Sequence, residues 1–512
     1  MPTLAGTSPR TIVRSIGGGG IQYLVTTVLA LVSVPILVHR LGTAAYGVWV
    51  VVTALLALGT LADVGVRTEI TRRVAAHWGD GDRRAAAQEG REGATILLVA
   101  GMVVAGLGAL LAPVVVHIVF TRPAHGVSNG QIVALVRVIA VLVGVSLVGD
   151  GFFSVLRGMQ RTDLEALCRT LGEAAGSVVA IVWVLDGGGL WAMAAALAVQ
   201  IGVDYGGRWF ALRRVLPEIR PVPALPQAVR PWLLVGGLLV LSQVSDVVDT
   251  QWDKLVLAHY VGSVASAAYA IGTTLAGQAK VLAVVVLGPM VAAAAELHRS
   301  RPSELRAVYD RLGSASLAVA GVALGGVLVF GPTLVHLWLG GAHLVLTGRA
   351  AQLSAVALWL NLAAAPLAML LIGSGRPLLP ATGAGANIAV NGVVSLTATR
   401  AIGFDGALFG SIAGNATGLI VLVFAARRAG LLQLPPLRVG LAAALVAVVG
   451  WSLVGGTSGG WTGMLAKGSA YLVAQGLVVV AVHRVGSRRR QAAALRSASS
   501  SPAPGASRPV AL

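Results

Sequence analysis

The chain has 512 residues, 56% of them hydrophobic and 11% charged, and a formal charge of +18. A soluble domain carries about 25% charged residues, so this chain cannot cover itself with polar surface, and its solvent must be lipid. The basic excess would suit nucleic acid if it formed a patch, but it is sorted loop by loop, which excludes that reading.

Residues 1–14 are polar and show no cleavage-site pattern, so the apolar run after them reads as a retained first span. A spanning helix needs about 20 apolar residues. Runs of that kind predict fourteen spans. The first seven fall at 15–38, 44–62, 94–120, 131–155, 164–185, 189–212 and 231–256. The second seven fall at 264–291, 312–338, 347–372, 378–400, 406–426, 437–455 and 462–482. With the N-terminus in the cytoplasm, 30 of the 38 Lys and Arg lie on inside segments. Six lie outside (Arg40, Arg122, Lys254, Arg349, Arg400 and Lys467), and two, Arg137 and Lys280, lie within helices. That split is a positive-inside signal and places both termini in the cytoplasm. The basic run at 487–490 opens a Ser/Ala/Pro-rich tail that reads as a disordered end within reach of anionic lipid. Cys168 has no partner for a disulfide, and no His or Cys cluster has metal-ligand spacing. No bound cofactor is expected.

The chain repeats itself. LVHRLGTAAYGVWV at 37–50 returns as LAHYVGSVASAAYA at 257–270, an offset of 220. Pro113 and His117 match Pro332 and His336, Arg161 matches Arg376, and Arg213-Arg214 match Arg427-Arg428, at offsets of 214 to 219. Markers in one order at one spacing describe a duplicated six-helix unit. Six is even, so the copies enter the membrane with the same polarity and are related by an axis along its normal, with the transport site near the midplane between them. The expected architecture is an all-α polytopic membrane protein of two six-helix lobes plus two extra helices. The lobes span 1–215 and 231–428, joined by a proline-rich cytoplasmic linker at 216–230; the extra helices lie within 429–485, and the tail is 486–512.

The series PILVHRLGTAAYG, LADVGVRTEITRRVAA and LRGMQRTD, with DTQWDKLVLAHYVGSVASAAYAIG in the second copy, carries a family likeness. It resembles the polysaccharide transporter branch of the multidrug/oligosaccharidyl-lipid/polysaccharide exporter superfamily, the Wzx-type O-antigen and lipid-linked oligosaccharide flippases. The resemblance covers about residues 1–430 and includes that family's second-half signature of an aspartate, a glycine after the helix and a late tyrosine. It implies a bacterial plasma-membrane flippase working by alternating access on a polyprenyl pyrophosphate-linked glycan. Glycosyltransferases and a glycan polymerase are the expected functional neighbours. A drug/cation antiporter of the same superfamily is the alternative, and a non-transporting scaffold for cell-wall synthesis is a third reading.

A transporter needs no catalytic group, and no nucleotide-binding loop or nucleophile–base pair is present; it needs polar groups inside the membrane. Arg137 and Lys280 have no loop to retreat to, and each must either pair as a structural charge or line the substrate path. Asp246, Asp249 and Asp253 share one face of the seventh span, with Gln243 beside it. Asp253 falls at the outer boundary, where water can solvate it. Asp246 and Asp249 lie deeper, as candidates for proton or sodium coupling or for pairing with Arg137 or Lys280. Arg14, Gln22, Gln200, Asn361, Asn387, Asn391 and Asn415 are polar candidates for the cavity wall. Arg161, Arg376, Arg67 and Asp63 fall at the cytoplasmic mouth. Gly410, Gly414 and Gly418 form a four-spaced ridge suited to close helix contact.

Overall fold

The fold is taken from a computed structural model, which describes residues 9–63, 65–124, 126–220, 224, 232, 244, 247–340, 344–430, 435–454, 467–477 and 481, with the backbone alone for 9–24, 62, 248–249, 292, 299–300, 302, 344, 435–437, 451 and 453–454. Every regular element described is helical. The first lobe runs α1 (Pro9–Leu41), α2 (Thr43–Gly59), α3 (Val66–Gly79), α4 (Arg83–Val119), α5 (Asn129–Gly158), α6 (Thr162–Leu185) and α7 (Gly189–Val215). The second runs α8 (Asp253–Tyr260), α9 (Ser263–Val286), α10 (Met290–Ser300), α11 (Pro302–Leu339), α12 (Leu344–Gly373), α13 (Leu378–Ile402) and α14 (Phe404–Arg428), followed by α15 (Pro435–Val454). Residues 467–477 are helical within the fourteenth predicted span. The seventh span is described mainly at its end, where a π-helical turn, Val248–Trp252, leads into α8.

By length and hydropathy α4, α5, α6, α9, α11, α12 and α14 can each cross a bilayer. Their outward faces bear it out: Val99, Met102 and Leu110 on α4 and Val141 and Val145 on α5 are exposed aliphatics. The protein is a multi-pass membrane protein. Two helices lie where the sequence suggested connections. α3 follows the second span and α10 follows the eighth, so the duplication extends to these short helices. α3 is held by a charge: Glu69, fully buried, accepts from Arg72 at 2.6 Å and Arg73 at 2.7 Å. The bonded Arg72 guanidinium, seconded by Arg73, keeps that carboxyl below the usual carboxylate range.

The repeated phrase of the sequence now has a structural meaning. Gly42 (φ +81°) separates α1 from α2, and Gly262 (φ +122°) separates α8 from α9. Each turn needs a positive φ that glycine adopts without penalty. Both lie at the end of the bundle opposite the basic turns that carry Arg161, Arg213-Arg214, Arg376 and Arg427-Arg428. We call the latter the basic end and the former the far end.

The lobes meet toward the far end. α2 lies directly on α9: a Cβ on Gly47 would sit 2.0 Å from the Ser263 carbonyl oxygen. Thr121 donates to the His259 carbonyl, Arg122 donates to the Val261 carbonyl at 3.4 Å, and His259 Nδ1 donates to the Ile118 carbonyl at 2.7 Å. Its repeat counterpart, His39, bonds within its own helix, to Pro35 at 2.8 Å. Deeper in, Trp338 donates to the Leu31 carbonyl and Thr27 to Gln278, both at 2.7 Å. The linker, by contrast, adheres to the first lobe. Leu216 and Ile219, with Trp232 just past the linker, are buried with Val66, Ile70, Val74 and Leu97, and Arg73 stacks over Trp232 at 4.1 Å.

Within the second lobe the glycine ridge does what its spacing implied. Gly383, Asn387, Asn391, Ser395 and Thr399 form one buried stripe of α13. A Cβ on Gly410 of α14 would fall 2.0 Å from Ser395 Oγ, and one on Gly414 would fall 2.3 Å from Asn387 Oδ1. Small residues let the backbones approach until polar side chains bond across the pair. In the first lobe Gly172 and Gly176 of α6 likewise accommodate Asp204 and Gln200 of α7.

Two measurements test this packing. Gly410→Val should overpack the α13–α14 contact and destabilise the protein by about 1–3 kcal/mol, read as a lower thermal midpoint in detergent. Gly392→Ala, with nothing within 4 Å of its Cβ, should leave the midpoint unchanged. In a background lacking Cys168, Ser263→Cys should resist an impermeant thiol reagent because Ser263 is 8% exposed. Adding Gly47→Val should raise that labelling severalfold, and unchanged labelling would show that α2 does not hold the far end shut.

Candidate functional site

The polar centre of the second lobe is built around Asp253, the first residue of α8 and 0% exposed. A π-helical turn immediately before it resets the helical register, a feature frequent at functional sites. Asp253 Oδ1 accepts from Ser395 Oγ at 2.5 Å; Oδ2 accepts from Tyr269 at 2.7 Å and also from Ser411. An ionised carboxylate buried in apolar surroundings is costly unless donors surround it, and three hydroxyls from α9, α13 and α14 do so here. The expectation that Asp253 is solvated at the membrane boundary is therefore wrong. Tyr269 is the late tyrosine of the second-half signature, and Asp253 is the aspartate it meets.

From this carboxylate a chain of polar side chains runs across the lobe. Asn391 Oδ1 lies 2.8 Å from Ser395 Oγ, and Asn415 Nδ2 donates to the Ser411 carbonyl at 2.9 Å. Asn415 Oδ1 accepts from Asn361 Nδ2 at 2.9 Å and from Asn387 Nδ2 at 3.5 Å. Asn361 Oδ1 in turn accepts from the Lys280 ammonium at 2.7 Å. Lys280 is half-buried on α9, the helix that also carries the lobe contact. The structure thus joins Lys280, Asn361, Asn387 and Asn391 into one network. It also corrects their setting, because Asn387 and Asn391 are 7% and 0% exposed between α13 and α14 rather than on an open cavity wall.

Arg137 is not part of any such centre. It is exposed on α5 beside Val138, Val141 and Val145, and donates to the Ala109 carbonyl of α4 at 3.3 Å. The opposite face of α5, with Leu135, Val136 and Ile139, packs toward α2 and the other lobe. Arg137 therefore faces away from the lobe interface, and neither lining of the substrate path nor pairing with Asp249 suits that position. Asp246 and Gln243 lie outside the described residues, as do the side chains of Arg14, Gln22 and Asp249.

The first lobe holds a second cluster, of a different kind. Arg67 pairs with Asp63 and, at 3.0 Å, with Asp150; Arg208 pairs with Asp204 at 2.6 Å and reaches Asp150 at 3.6 Å. Carboxylates and guanidiniums alternate from the end of α2 through α5 to α7. Asp63 is 0% exposed and so lies inside the lobe rather than at an open mouth, while its partner Arg67 is part-exposed. Nearby, Glu173 of α6 accepts from Arg169 at 3.0 Å and from Thr26 of α1. Of the remaining basic-end candidates, Arg161 pairs with Asp163 at 3.1 Å, and Arg376 is exposed in the turn between α12 and α13.

Asp150, Asp204 and Arg208 were missed in the sequence, yet each interrupts an apolar run and was visible as an intramembrane ionisable residue. Asp204 and Arg208 also stand at the i, i+4 spacing of a helical ion pair. Asp253 reads from the sequence as a boundary residue because the apolar run of the seventh span ends at 256, whereas α8 continues to Tyr260. Its burial depends on Ser395 and Ser411, 142 and 158 residues away.

Known proteins share this architecture. A structure of the lipid II flippase MurJ in an inward closed conformation aligns with TM-score 0.67 and 10% identity, covering 92% of this chain and 98% of that one. An inward-facing multidrug resistance MATE family transporter of the MOP superfamily aligns with TM-score 0.61 and 16% identity, covering 84% and 96%. A MOP superfamily transporter from Pyrococcus furiosus, described by a reversed polarity of its binding pocket, aligns with TM-score 0.57 and 15% identity, covering 82% and 95%. At such identities the likeness establishes the fold. No curated protein matches the sequence significantly. The sequence model described as "Polysaccharide biosynthesis protein" matches residues 13–295, more than half of the chain, and the protein belongs to that family.

Proposed function

We propose that this protein is a flippase that carries a lipid-linked oligosaccharide or polysaccharide repeat unit across the bacterial plasma membrane by alternating access. The observation that carries the reading is the polar chain from the half-buried Lys280 to the buried Asp253, inside a membrane protein of a polysaccharide biosynthesis family. The basic end faces the cytoplasm, which puts both termini there and follows the distribution of Lys and Arg. Contacts between lobes toward the far end suit a state closed to the outside. The protein is not an enzyme on this reading, since the headgroup crosses intact. Glycosyltransferases that build the unit and a polymerase that consumes it are its functional neighbours.

Lys280 is the group suited to an anionic pyrophosphate. A cation within a span costs at least ~2.5 kcal/mol unless it meets a partner or a cavity, and substrate bearing phosphate charge lowers that cost where Lys280 is partly exposed. Asp253 is the group suited to coupling. A proton or sodium ion bound among Asp253, Ser395, Ser411 and Asn391 would replace hydroxyl donation with neutralisation and loosen the contacts of α8 with α13 and α14. Ion binding would then favour one packing of the lobe over another, as any ligand-driven switch requires.

Transport into proteoliposomes of a fluorescent polyprenyl pyrophosphate-linked oligosaccharide separates these roles. Lys280→Ala should lower the rate about tenfold, equivalent to ~1.4 kcal/mol, with protein level unchanged and with Lys280→Arg milder. Wild-type transport that ignores the charge of the headgroup, with Lys280→Ala fully active, would remove the anionic-substrate reading and leave the drug antiporter in its place. Asp253→Asn should abolish the response to an imposed proton or sodium gradient, whereas Tyr269→Phe should shift the ion concentration needed for half-maximal rate. A gradient response that survives Asp253→Asn would place coupling elsewhere.

A further inference from the structure

Outside both polar centres, at the basic end of the first lobe, lies a pocket of about 160 Å³ between α4, α5, α7 and the linker. Arg91 of α4 and Arg220 of the linker stand at its rim. Its floor is aromatic, Phe152 and Trp209, whose ring centroids are 4.9 Å apart. Leu98 and Val148 form the side toward the membrane. Beyond them the surface continues as exposed Val99, Met102 and Val145. The pocket is therefore basic at the level of the interface and apolar where a chain would enter the hydrocarbon.

From this geometry we infer that the pocket holds the phosphate headgroup of an anionic phospholipid from the leaflet at the basic end, with its acyl chains along α4 and α5. Its volume is below the ~300 Å³ of a drug-sized site and suits a phosphate with its glycerol rather than a whole glycan. Two arginines supply the charge, and aromatic rings at headgroup depth supply an amphipathic floor. The linker is itself a wall. Ile219 is 2% exposed against the lobe, and the Ala224 amide donates to Thr95 Oγ1 at 3.0 Å, one helical turn from Arg91. A phosphate bridging Arg91 and Arg220 would fasten the linker to α4, so the lipid would strengthen the attachment from which the second lobe departs.

The full-length protein, released from nanodiscs of phosphatidylcholine with and without phosphatidylglycerol, reports the bound lipid by native mass spectrometry. Wild type should retain phosphatidylglycerol, and the double variant Arg91→Gln/Arg220→Gln should retain roughly tenfold less. The control Arg427→Gln/Arg428→Gln, at the basic end of the other lobe, should retain it as wild type does. Val148→Trp fills the pocket and keeps every arginine, and it should lose the lipid too. Equal loss in the control would mean only general attraction to basic surface, and retention by Val148→Trp would mean that the pocket is not the site. Displacement of the lipid by inorganic phosphate at comparable concentration would assign the arginines to a free anion. Any of these three results overturns the proposal.

Discussion

A carboxylate inside a lipid-embedded bundle can be satisfied only by protein, and that constraint organises the second lobe. Asp253 needs donors, so Tyr269, Ser395 and Ser411 must converge on it from three helices. Convergence requires α13 and α14 to approach until backbone nearly meets backbone, which is why Gly410 and Gly414 face Ser395 and Asn387. The same closeness lets Asn415 bond to Asn361 and so extends the network to Lys280. Remove the buried charge and the glycine ridge loses its reason; remove the ridge and the charge loses its donors.

The duplicated halves solve this problem differently. The first lobe neutralises charge with charge, through Arg67, Asp150, Arg208 and Asp204. Deleting one partner of such a set strands the charge it paired, most severely at the buried Arg208, which favours a lobe that moves as one body. The second lobe surrounds a carboxylate with neutral hydroxyls and amides, whose protons can rearrange when an ion arrives. A rigid lobe set against a responsive one is a reasonable division of labour for a transporter whose two copies began alike.

Much of the fold was legible in the sequence because lipid imposes a coarse rule, about 20 apolar residues per crossing. Gly42 and Gly262 marked both far-end turns, since a positive φ leaves a glycine behind. α3 and α10 were not legible, because a short amphipathic helix beside a membrane reads like a basic loop. The sites were harder. Arg137 and Lys280 looked equivalent as lone cations in apolar runs, and only the packing of α5 and α9 decides which points to lipid and which to protein. Asp253 looked peripheral because its apolar run ends at 256, short of the helix end at Tyr260, and because its donors Ser395 and Ser411 come from distant parts of the chain.

Trp232 carries a consequence for how the chain divides. It lies past the prolines of the linker, yet it is 1% exposed within the first lobe's hydrophobic cluster, under the Arg73 guanidinium. The covalent border of the two repeats and their mechanical border therefore do not coincide. Expressed as two separate polypeptides, the halves would assemble best if the break came after Trp232, because a cut at the proline-rich stretch would strand an indole ring with the wrong fragment. The first half would then expose an empty apolar socket, and the second an unpaired indole that must find it again before the halves can assemble.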